Sequence, residues 1–297
     1  MLDLLLTHHL LKAVKPGTHL LFVGDVDQLP SVGAGDVLRD LIDSGIAPVT
    51  RLNTIFRQAA ISKIISNAHL INQGKLPTFS KDSGDFFLFT AQDASSAADW
   101  IIEIVTNRIP QKFGFDAIRD IQVLSPIYRG PAGVMALNDR LQEKLNPFIA
   151  SKPERRLYGT TFRLGDKVMQ IQNNYEKDVY NGDIGFIQSI DVIEQTLAVD
   201  FDGRPITYDW SEGDQLVLAY VVSIHKAQGS EFPAVVMPIV TQHYTMLQRN
   251  LLYTAITRAR KLCVLAGSRR AISMAVRNNK IAHRFTALEW RLGEQKT

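Results

Sequence analysis

The chain has 297 residues, 45% of them hydrophobic, which is enough for a buried core and for two or three domains. Its 33 lysines and arginines against 30 aspartates and glutamates give a net charge of only +3, so any surface for nucleic acid must be a local stripe. The single cysteine excludes an internal disulfide framework and favours the reducing cytoplasm. No stretch reaches the about 20 apolar residues of a transmembrane helix, so we expect no membrane partner.

Residues 1–50 are predicted to contain an amphipathic helix, a buried strand, a loop and a second helix. The strand is Leu20–Val23, because its apolar residues end abruptly at Gly24 and Asp25, as a parallel strand does at the carboxyl edge of a sheet. One strand and two helices cannot bury a parallel sheet. This segment therefore needs further strands, either from elsewhere in the chain or from another polypeptide.

Residues 51–154 are predicted to alternate between helices and strands. Apolar residues recur with a helical period over 53–74 and 94–107, and a third helix begins at Pro131. A buried strand is predicted at 121–126. This order is typical of a parallel sheet with helices outside it.

Residues 155–215 differ, because apolar and polar residues alternate with the period of a half-buried strand. Asp202-Gly203 separates two such runs and predicts a hairpin. We therefore expect a small antiparallel barrel, inserted into the α/β domain. The parallel-sheet pattern resumes over 216–297, where we predict strands at 219–224, 234–240 and 262–266 and helices at 247–257 and 269–292.

The loop after the first predicted strand carries the string Gly-Asp-x-Asp-Gln-Leu-Pro-Ser-Val-Gly-x-Gly over 24–35. Asp25 and Gln28 can there meet a phosphate, a metal or a water, although an ordinary turn with solvated polar ends explains the motif alone equally well. A second string, 51–58, places Arg57 near the start of a helix. Cations are stabilising at the C-terminal end of a helix rather than at its start. We therefore expect Arg57 to pair with an anion, either a ligand phosphate or a surface carboxylate.

A third string, 221–236, is predicted to deliver polar side chains to the end of a strand. Ser223 and His225 lie at that end, Gly229 permits a close approach of the backbone, and Glu231 follows. Taken alone, His225 is explained better as a hydrogen-bonded structural histidine. The whole string is far more specific than any one of its residues.

A fourth string, 250–261, ends a predicted helix with Arg258 and Arg260. Cations at a helix C-terminus stabilise it by about 0.3–1 kcal/mol without any ligand, so these charges also have a structural explanation. Arg129 lies on a loop before a predicted helix, where backbone amides can bind a phosphate. The barrel interleaves basic and aromatic residues, which suits a nucleic-acid strand whose bases stack and whose phosphates pair, although each residue alone is explained better by a structural role: Arg163, Lys167, Tyr175, Lys177 and Tyr180.

The four strings, in this order, resemble motifs III, IV, V and VI of superfamily 1 DNA helicases of the RecD/TraA type, similar to the exodeoxyribonuclease V alpha subunit. The resemblance spans nearly the whole chain. It implies an α/β fold, with a RecA-like parallel sheet, flanking helices and an inserted SH3-like β-barrel. The implied domains are the C-terminal remnant of a first RecA-like domain (1–50), a second RecA-like domain in two parts (51–154 and 216–297) and the barrel (155–215).

The resemblance also implies roles for single residues. Gln28 would sense the γ-phosphate or the attacking water, and Arg57 and Arg258 would reach the phosphates as catalytic residues. Glu231 would hold the ribose of ATP, and Tyr253 would stack near the base. The other implied residues are Gly24, Asp25 and Gly229 at the nucleotide, and Arg129, Arg163, Lys167, Tyr180, Ser223 and His225 at single-stranded DNA.

The sequence departs from the family at its front, since it contains no G-x-x-x-x-G-K-[ST] and no Asp-Glu magnesium motif. ATP and Mg²⁺ are therefore implied cofactors whose phosphate-loop lysine and metal ligands are not in this chain, and we expect no metal site. We expect the C-terminal motor portion of an ATP-dependent 5′-to-3′ DNA helicase of recombination and repair, beginning just after the Asp-Glu motif. Alone it should be inactive; its expected partners are single-stranded DNA, the N-terminal RecA-like half and a recombination nuclease complex.

Two other interpretations stay open. A short protein that binds single-stranded nucleic acid or docks on a helicase, without catalysis, would explain the missing phosphate loop. It would leave Gln28, Arg57 and Arg258 with no phosphate to contact. A P-loop phosphotransferase of another class suits the inserted barrel and the four ordered strings poorly. The reading frame upstream of codon 1 distinguishes a fragment from a short protein.

Overall fold

The structure is a computed structural model that describes residues 2–52, 62–81, 84–279, 284 and 286–294. Its helices are α1 (Leu4–Ala13), α2 (Val37–Ser44), α3 (Lys63–Asn72), α4 (Ala94–Glu103), α5 (Ile109–Phe113), α6 (Val134–Leu145), α7 (Arg249–Ile256), α8 (Arg269–Arg277) and α9 (Leu288–Glu294). Its strands are β1 (Phe86–Thr90), β2 (Ile121–Ser125), β3 (Glu154–Leu157), β4 (Thr160–Arg163), β5 (Lys167–Gln170), β6 (Ile184–Asp191), β7 (Thr196–Phe201), β8 (Arg204–Asp209), β9 (Leu216–Leu218), β10 (Val221–Ser223), β11 (Phe232–Ile239) and β12 (Ala259–Gly267).

Two helices and an extended loop make up the first fifty residues. Asp3 starts α1, because its carboxylate accepts a hydrogen bond from the Leu6 amide at 2.8 Å. The prediction of a buried strand at Leu20–Val23 is wrong: these residues are not in a strand, and the side chains of Leu21 and Val23 are 87% and 86% exposed. No described strand lies beside this segment, so its backbone has no ladder to join and its side chains have no sheet to cover.

The described strands include a five-stranded parallel sheet in the order β1-β12-β11-β2-β10. One face of this sheet packs against α4, α6 and the barrel, and the other packs against α3, α7 and α8. The predicted α/β class is therefore confirmed, as are the strands expected near 121–126, 234–240 and 262–266. The edge strand β1 was not predicted from the sequence.

The helices largely follow their predictions. A capping box between Asp93 and Ser96 starts α4, which continues through a π-helical turn, Ile104–Arg108, into α5. The first part of the helix predicted at 53–74 lies outside the described residues, and α3 is its second part. The helix predicted at 269–292 is two helices, because α8 ends before Asn278-Asn279, a residue type that favours turns over helix interiors. Among the described residues, none of the helices combines the length and the apolar character needed to cross a membrane.

The predicted antiparallel barrel is present. Its main sheet has the order β8-β7-β6-β5-β9, and β3 and β4 form a separate hairpin beside it. The hairpin predicted at Asp202-Gly203 is confirmed, since these residues join β7 to β8. Their φ angles of +52° and +84° place both in the left-handed region that a tight hairpin turn requires.

A buried carboxylate joins the barrel to the central sheet. The Asp166 side chain is fully buried and accepts hydrogen bonds from Gln142 Nε2 at 2.6 Å, Asn146 Nδ2 at 2.7 Å, Tyr220 Oη at 2.8 Å and the Arg163 amide at 2.7 Å. These donors come from α6, from the segment before β10 and from the barrel itself. Burial raises the pKa of Asp166, and the four donors act against that rise because they stabilise the charged form.

The next residue, Lys167, is buried in the same junction with only 2% of its surface exposed. Its ammonium donates to the carbonyl oxygen of Ile121 at 3.2 Å, so the first residue of β5 is tied to the first residue of β2. Burial lowers the pKa of Lys167 to about 7, because water is removed from the charged form. Asp116 and Asp120 partly oppose this decrease.

Replacing Asp166 by asparagine should destabilise the protein, because the new NH₂ group faces donors that need an acceptor. We expect the free energy of unfolding to fall by about 2–4 kcal/mol, measured by urea denaturation. Asp200→Asn is the matched control, because Asp200 Oδ1 is buried without a hydrogen-bond partner among the described residues. Equal losses in the two variants would contradict the role assigned to Asp166.

Replacing Lys167 by methionine should change how stability depends on pH. Unfolded lysine has a pKa of about 10.4, so between pH 7 and 10 the unfolded chain binds one more proton than the folded chain. The free energy of unfolding of the unmodified protein should therefore rise with pH across this window, and Lys167 should destabilise it most at pH 7 and below. Lys167→Met should be more stable at pH 6.5 and should lose this slope, as urea denaturation at several pH values would show. If the free energy of unfolding rose with pH equally in both proteins, the lowered pKa of the buried Lys167 would be refuted.

Candidate nucleotide cleft and DNA interface

Arg258 is the centre of a hydrogen-bonded cluster at the end of α7. It is only 6% exposed, and its guanidinium donates to acceptors in three segments of the chain. Nη2 donates to Gln28 Oε1 at 2.8 Å, Nη1 donates to the carbonyl of Ser230 at 3.0 Å, and Nε donates to the carbonyl of Thr254 at 3.3 Å. Two residues 230 positions apart in the sequence, Gln28 and Arg258, are therefore in direct contact.

Asp25 fixes the orientation of Gln28. Its carboxylate accepts from Gln28 Nε2 at 3.1 Å, from Tyr253 Oη at 2.9 Å and from the Asp27 amide at 3.0 Å. The amide of Gln28 thus donates to a carboxylate on one side and accepts from Arg258 on the other, which leaves a single orientation that satisfies both partners. The predicted residues Asp25, Gln28, Tyr253 and Arg258 form one connected group.

The electrostatics of this group depend on partial burial. Desolvation lowers the pKa of Arg258, and the nearby carboxylates of Glu231 and Asp25 oppose this decrease. The guanidinium stays charged, because its pKa begins far above neutral. Burial, together with the charge of Asp25, raises the pKa of Tyr253, so its hydroxyl keeps the proton that it donates.

The arrangement suits a phosphate. Arginine has five N–H donors, and three of those on Arg258 are used within the chain, so two remain for an anion. Over the ranges that the structure describes, no group of three or more histidine, cysteine or acidic side chains could hold a metal ion.

The other residues predicted at the nucleotide lie close by or outside the described ranges. Glu231 lies within the third string, and its carboxylate accepts from Arg260 Nε at 2.7 Å on an exposed part of the surface. Gly229 has a φ of +86°, which disfavours a side chain there. A Cβ at Gly24 would approach Leu38 Cδ2 on α2 to 2.7 Å, so a larger residue there would have to displace the end of that leucine side chain. Arg57 lies outside the described residues.

A second cleft, of about 520 Å³, lies between the barrel and the carboxyl end of the central sheet. Ser223, at the end of β10, lines it as predicted, and its hydroxyl accepts from the Lys226 amide at 3.3 Å. The lining mixes basic, aromatic and hydroxyl groups: Tyr128, Arg156, Thr160, Thr161, Ser223 and Lys226. This mixture suits a nucleic-acid backbone with stacked bases.

Two residues predicted at DNA lie next to this lining. Arg129 is exposed and follows Tyr128, and His225 is exposed and precedes Lys226. Partial desolvation lowers the pKa of His225, so its ring is neutral at pH 7. Arg129 forms no ion pair with any described residue, which leaves its charge available to a phosphate.

The structure contradicts one of the predicted DNA contacts, Lys167, and leaves those of Arg163 and Tyr180 as predictions. Lys167 is buried and bonded to the Ile121 carbonyl, so it cannot reach a strand. Arg163 lines the second cleft, but its guanidinium is paired with Glu154 at 3.0 Å and Glu143 at 3.1 Å, which leaves it poorly placed for phosphate. Tyr180 is not in the lining, and its hydroxyl donates to Asp178 at 2.6 Å.

Sequence reasoning missed Tyr128, Arg156 and Lys226 at this cleft. Tyr128 and Lys226 directly neighbour the predicted Arg129 and His225 in the sequence, so the choice of single residues missed each of them by one position. Arg156 carried no comparable signal. It lies on β3 among exposed charged residues, and only the packing of the barrel on the sheet brings it to the cleft.

Three family models match this chain. They are the ATP-dependent RecD-like DNA helicase SH3 domain over residues 137–201, the UvrD-like helicase C-terminal domain over 218–266 and an AAA domain over 1–86. Residues 137–201 are therefore similar to a RecD-like helicase SH3 domain, and residues 218–266 to a UvrD-like helicase C-terminal domain. The resemblance inferred from the four strings is confirmed at this level, and so is the SH3-like nature of the barrel.

Several known proteins are similar to this chain over most of its length. The ATP-dependent RecD2 DNA helicase of Deinococcus radiodurans is 35% identical over 280 residues, which are 94% of this chain and 37% of that protein. The RecBCD enzyme subunit RecD of Mycobacterium tuberculosis is 27% identical, covering 98% of this chain and 52% of the relative. The crystal structure of Pif1 helicase from Bacteroides in complex with ADP-AlF3 and ssDNA has a TM-score of 0.48 and 17% identity, covering 92% of this chain and 66% of that one. The chain thus spans between about a third and a half of the length of these curated relatives.

Proposed function

We propose that this chain is the C-terminal motor portion of an ATP-dependent DNA helicase. The observation that carries the proposal is the 2.8 Å hydrogen bond between Arg258 and Gln28, inside a group that also contains Asp25 and Tyr253. A buried arginine with two N–H groups left over, beside an amide held in one orientation, is suited to a phosphate and to the water that attacks it. Relatives named ATP-dependent DNA helicases support this assignment.

In the proposed reaction, Arg258 stabilises the negative charge that develops on the transferred phosphoryl group. Gln28 orients the attacking water, because Asp25 and Arg258 hold its amide from both sides. Glu231 binds the ribose, and Arg57 supplies a second cation. ATP provides the free energy, and Mg²⁺ neutralises its phosphates when bound.

The sequence contains no phosphate-loop lysine and no Asp-Glu pair, so another segment must supply them. We infer that this segment is the N-terminal RecA-like half of a longer protein. Leu20–Val23 supports the inference, since these apolar residues are exposed and no described strand covers them. Opening and closing of the two halves around ATP would then drive movement along DNA.

The proposed path of single-stranded DNA is the cleft between the barrel and the central sheet. Arg129, His225 and Ser223 would contact the backbone, and Tyr128 would offer a stacking surface that does not depend on base identity. Movement with 5′-to-3′ polarity, a role in recombination and repair, and assembly with a nuclease complex are parts of the same proposal. A relative named as a RecBCD enzyme subunit supports the assembly with other subunits, whereas the polarity and the role in repair rest on the family resemblance. A reducing cytoplasm suits the one buried cysteine, Cys263.

Removal of Arg258 tests the nucleotide part of the proposal. The isolated chain should show no DNA-stimulated ATP hydrolysis, whereas the longer protein that includes the N-terminal half should hydrolyse ATP. In that longer protein, Arg258→Ala should lower kcat by about 10³- to 10⁵-fold, because the transition-state charge loses its cation. Steady-state phosphate release measures this effect, and circular dichroism checks the fold.

The matched control is Arg140→Ala, since Arg140 is a surface arginine paired with Asp99 at 2.7 Å on α4. It should leave kcat within twofold. Normal turnover by Arg258→Ala would remove this arginine from its proposed role. Turnover by the isolated chain would show that no additional segment is needed.

Arg129→Ala and Lys226→Ala test the DNA path in the chain as it stands. Each should weaken binding to fluorescein-labelled oligothymidine, and each should reduce the slope of log K against log salt by about 0.7, the value for one lost phosphate contact on a single strand. Fluorescence anisotropy at several salt concentrations gives both quantities. The control is Arg204→Ala, a barrel arginine paired with Asp178 at 2.8 Å and absent from the cleft lining. An unchanged slope in the first two variants would exclude this cleft as the path.

A further inference from the structure

Both peptide groups of Leu29 are held by side chains from the second half of the chain. The Leu29 amide donates to Thr254 Oγ1 at 2.8 Å, across 225 positions of sequence. The Leu29 carbonyl accepts from Gln228 Nε2 at 2.8 Å, across 199 positions. Thr254 lies in α7, and Gln228 lies in the loop between β10 and β11, so two separate elements hold one residue.

The burial of these partners shows that the contacts are specific. Thr254 is fully buried, and a threonine inside a helix commonly bonds its own helix, whereas here its hydroxyl accepts from a distant amide. Gln228 Oε1 is buried with no partner among the described residues, which is costly. A flipped amide would set Oε1 against the carbonyls of Leu29 and Pro30, so donation to Leu29 is what fixes Gln228.

The neighbours of the three residues connect this clamp to the candidate site. Leu29 directly follows Gln28, which accepts from Arg258. The carbonyl of Thr254 accepts from the same arginine. The Leu29 side chain packs on the apolar cluster that contains α7, so the peptide groups and the side chain are both anchored. The position of the Gln28 amide therefore depends on Leu29.

We propose that Thr254 and Gln228 are positioning residues that clamp Leu29 and thereby hold Gln28 on Arg258. The proposal rests on the proposed function, since its purpose is to place Gln28 for hydrolysis. Gln228 also lies between Lys226, in the lining of the DNA cleft, and Glu231, beside Arg258. The clamp thus ties the loop that meets DNA to the residue that meets the attacking water.

The first test needs no catalysis and uses the chain as it stands. Thr254→Val keeps the shape of the side chain and removes the acceptor, and Gln228→Met removes the donor. Amide exchange at Leu29, followed by NMR, should become about 2- to 10-fold faster in both variants, the range expected for loss of one hydrogen bond. Thr254→Ser keeps a hydroxyl and should restore the original rate.

Thr106→Val is the matched control, because the Thr106 hydroxyl donates to the Ile102 carbonyl of its own helical segment at 2.8 Å. It should not change exchange at Leu29. If Thr254→Val fails to fold, Gln228→Met and Thr254→Ser still decide the result. Unchanged exchange at Leu29 in a folded Thr254→Val or Gln228→Met protein would overturn the clamp.

The second test uses the longer protein that includes the N-terminal half. Thr254→Val and Gln228→Met should lower the kcat of DNA-stimulated ATP hydrolysis at least fivefold and leave KM for ATP within twofold, and Thr254→Ser should recover kcat. Faster exchange at Leu29 with normal kcat would overturn the positioning role. Absence of turnover in the unmodified longer protein would instead overturn the proposed function, while the exchange data would still report on the clamp.

Discussion

The packing of the barrel on the central sheet depends on one buried carboxylate, that of Asp166. Asp166 is fully buried, and it is tolerable there only because four donors from α6, the barrel and the segment before β10 surround it. None of these three parts of the fold supplies all the hydrogen bonds that the buried carboxylate accepts. The barrel must therefore sit in one place on the central sheet, and the buried Lys167 beside it strengthens that constraint. The cleft between the two bodies inherits its shape from this junction.

The group around Arg258 is also organised by a buried charge that needs hydrogen-bond partners, but here the charge is positive. Arg258 is a buried cation, and its three acceptors lie in α7, in the loop after β10 and in the loop near the front of the chain. Each acceptor fixes one direction of a planar fork, so the guanidinium cannot rotate without breaking a bond. Two of the acceptors are backbone carbonyls, which makes the fold itself hold the arginine. The third is the side-chain amide of Gln28, which Asp25 holds in place.

The sequence was informative where a pattern reports directly on a contact. The parallel sheet and the Asp202-Gly203 hairpin follow from local periodicity and turn chemistry, and the ordered strings contain the residues that meet around Arg258. Prediction from the sequence failed where the burial of a residue depends on which other part of the fold packs against its strand or segment. Lys167 sits on a strand whose four residues are all buried, because the central sheet covers the face that alternation would assign to solvent. Leu20–Val23 has the composition of a buried strand, but composition does not reveal which chain segment is its neighbour.

The exposed residues Leu20–Val23 also affect the tendency of the isolated polypeptide to self-associate. Leu20, Leu21, Phe22 and Val23 form a run of exposed apolar side chains, and their backbone groups make no hydrogen bond to any residue that the structure describes. Such a run recruits similar segments from other molecules, since edge pairing and dehydration both favour it. A net charge of +3 over 297 residues gives little colloidal repulsion to oppose this attraction. This short apolar run therefore favours self-association of the isolated polypeptide.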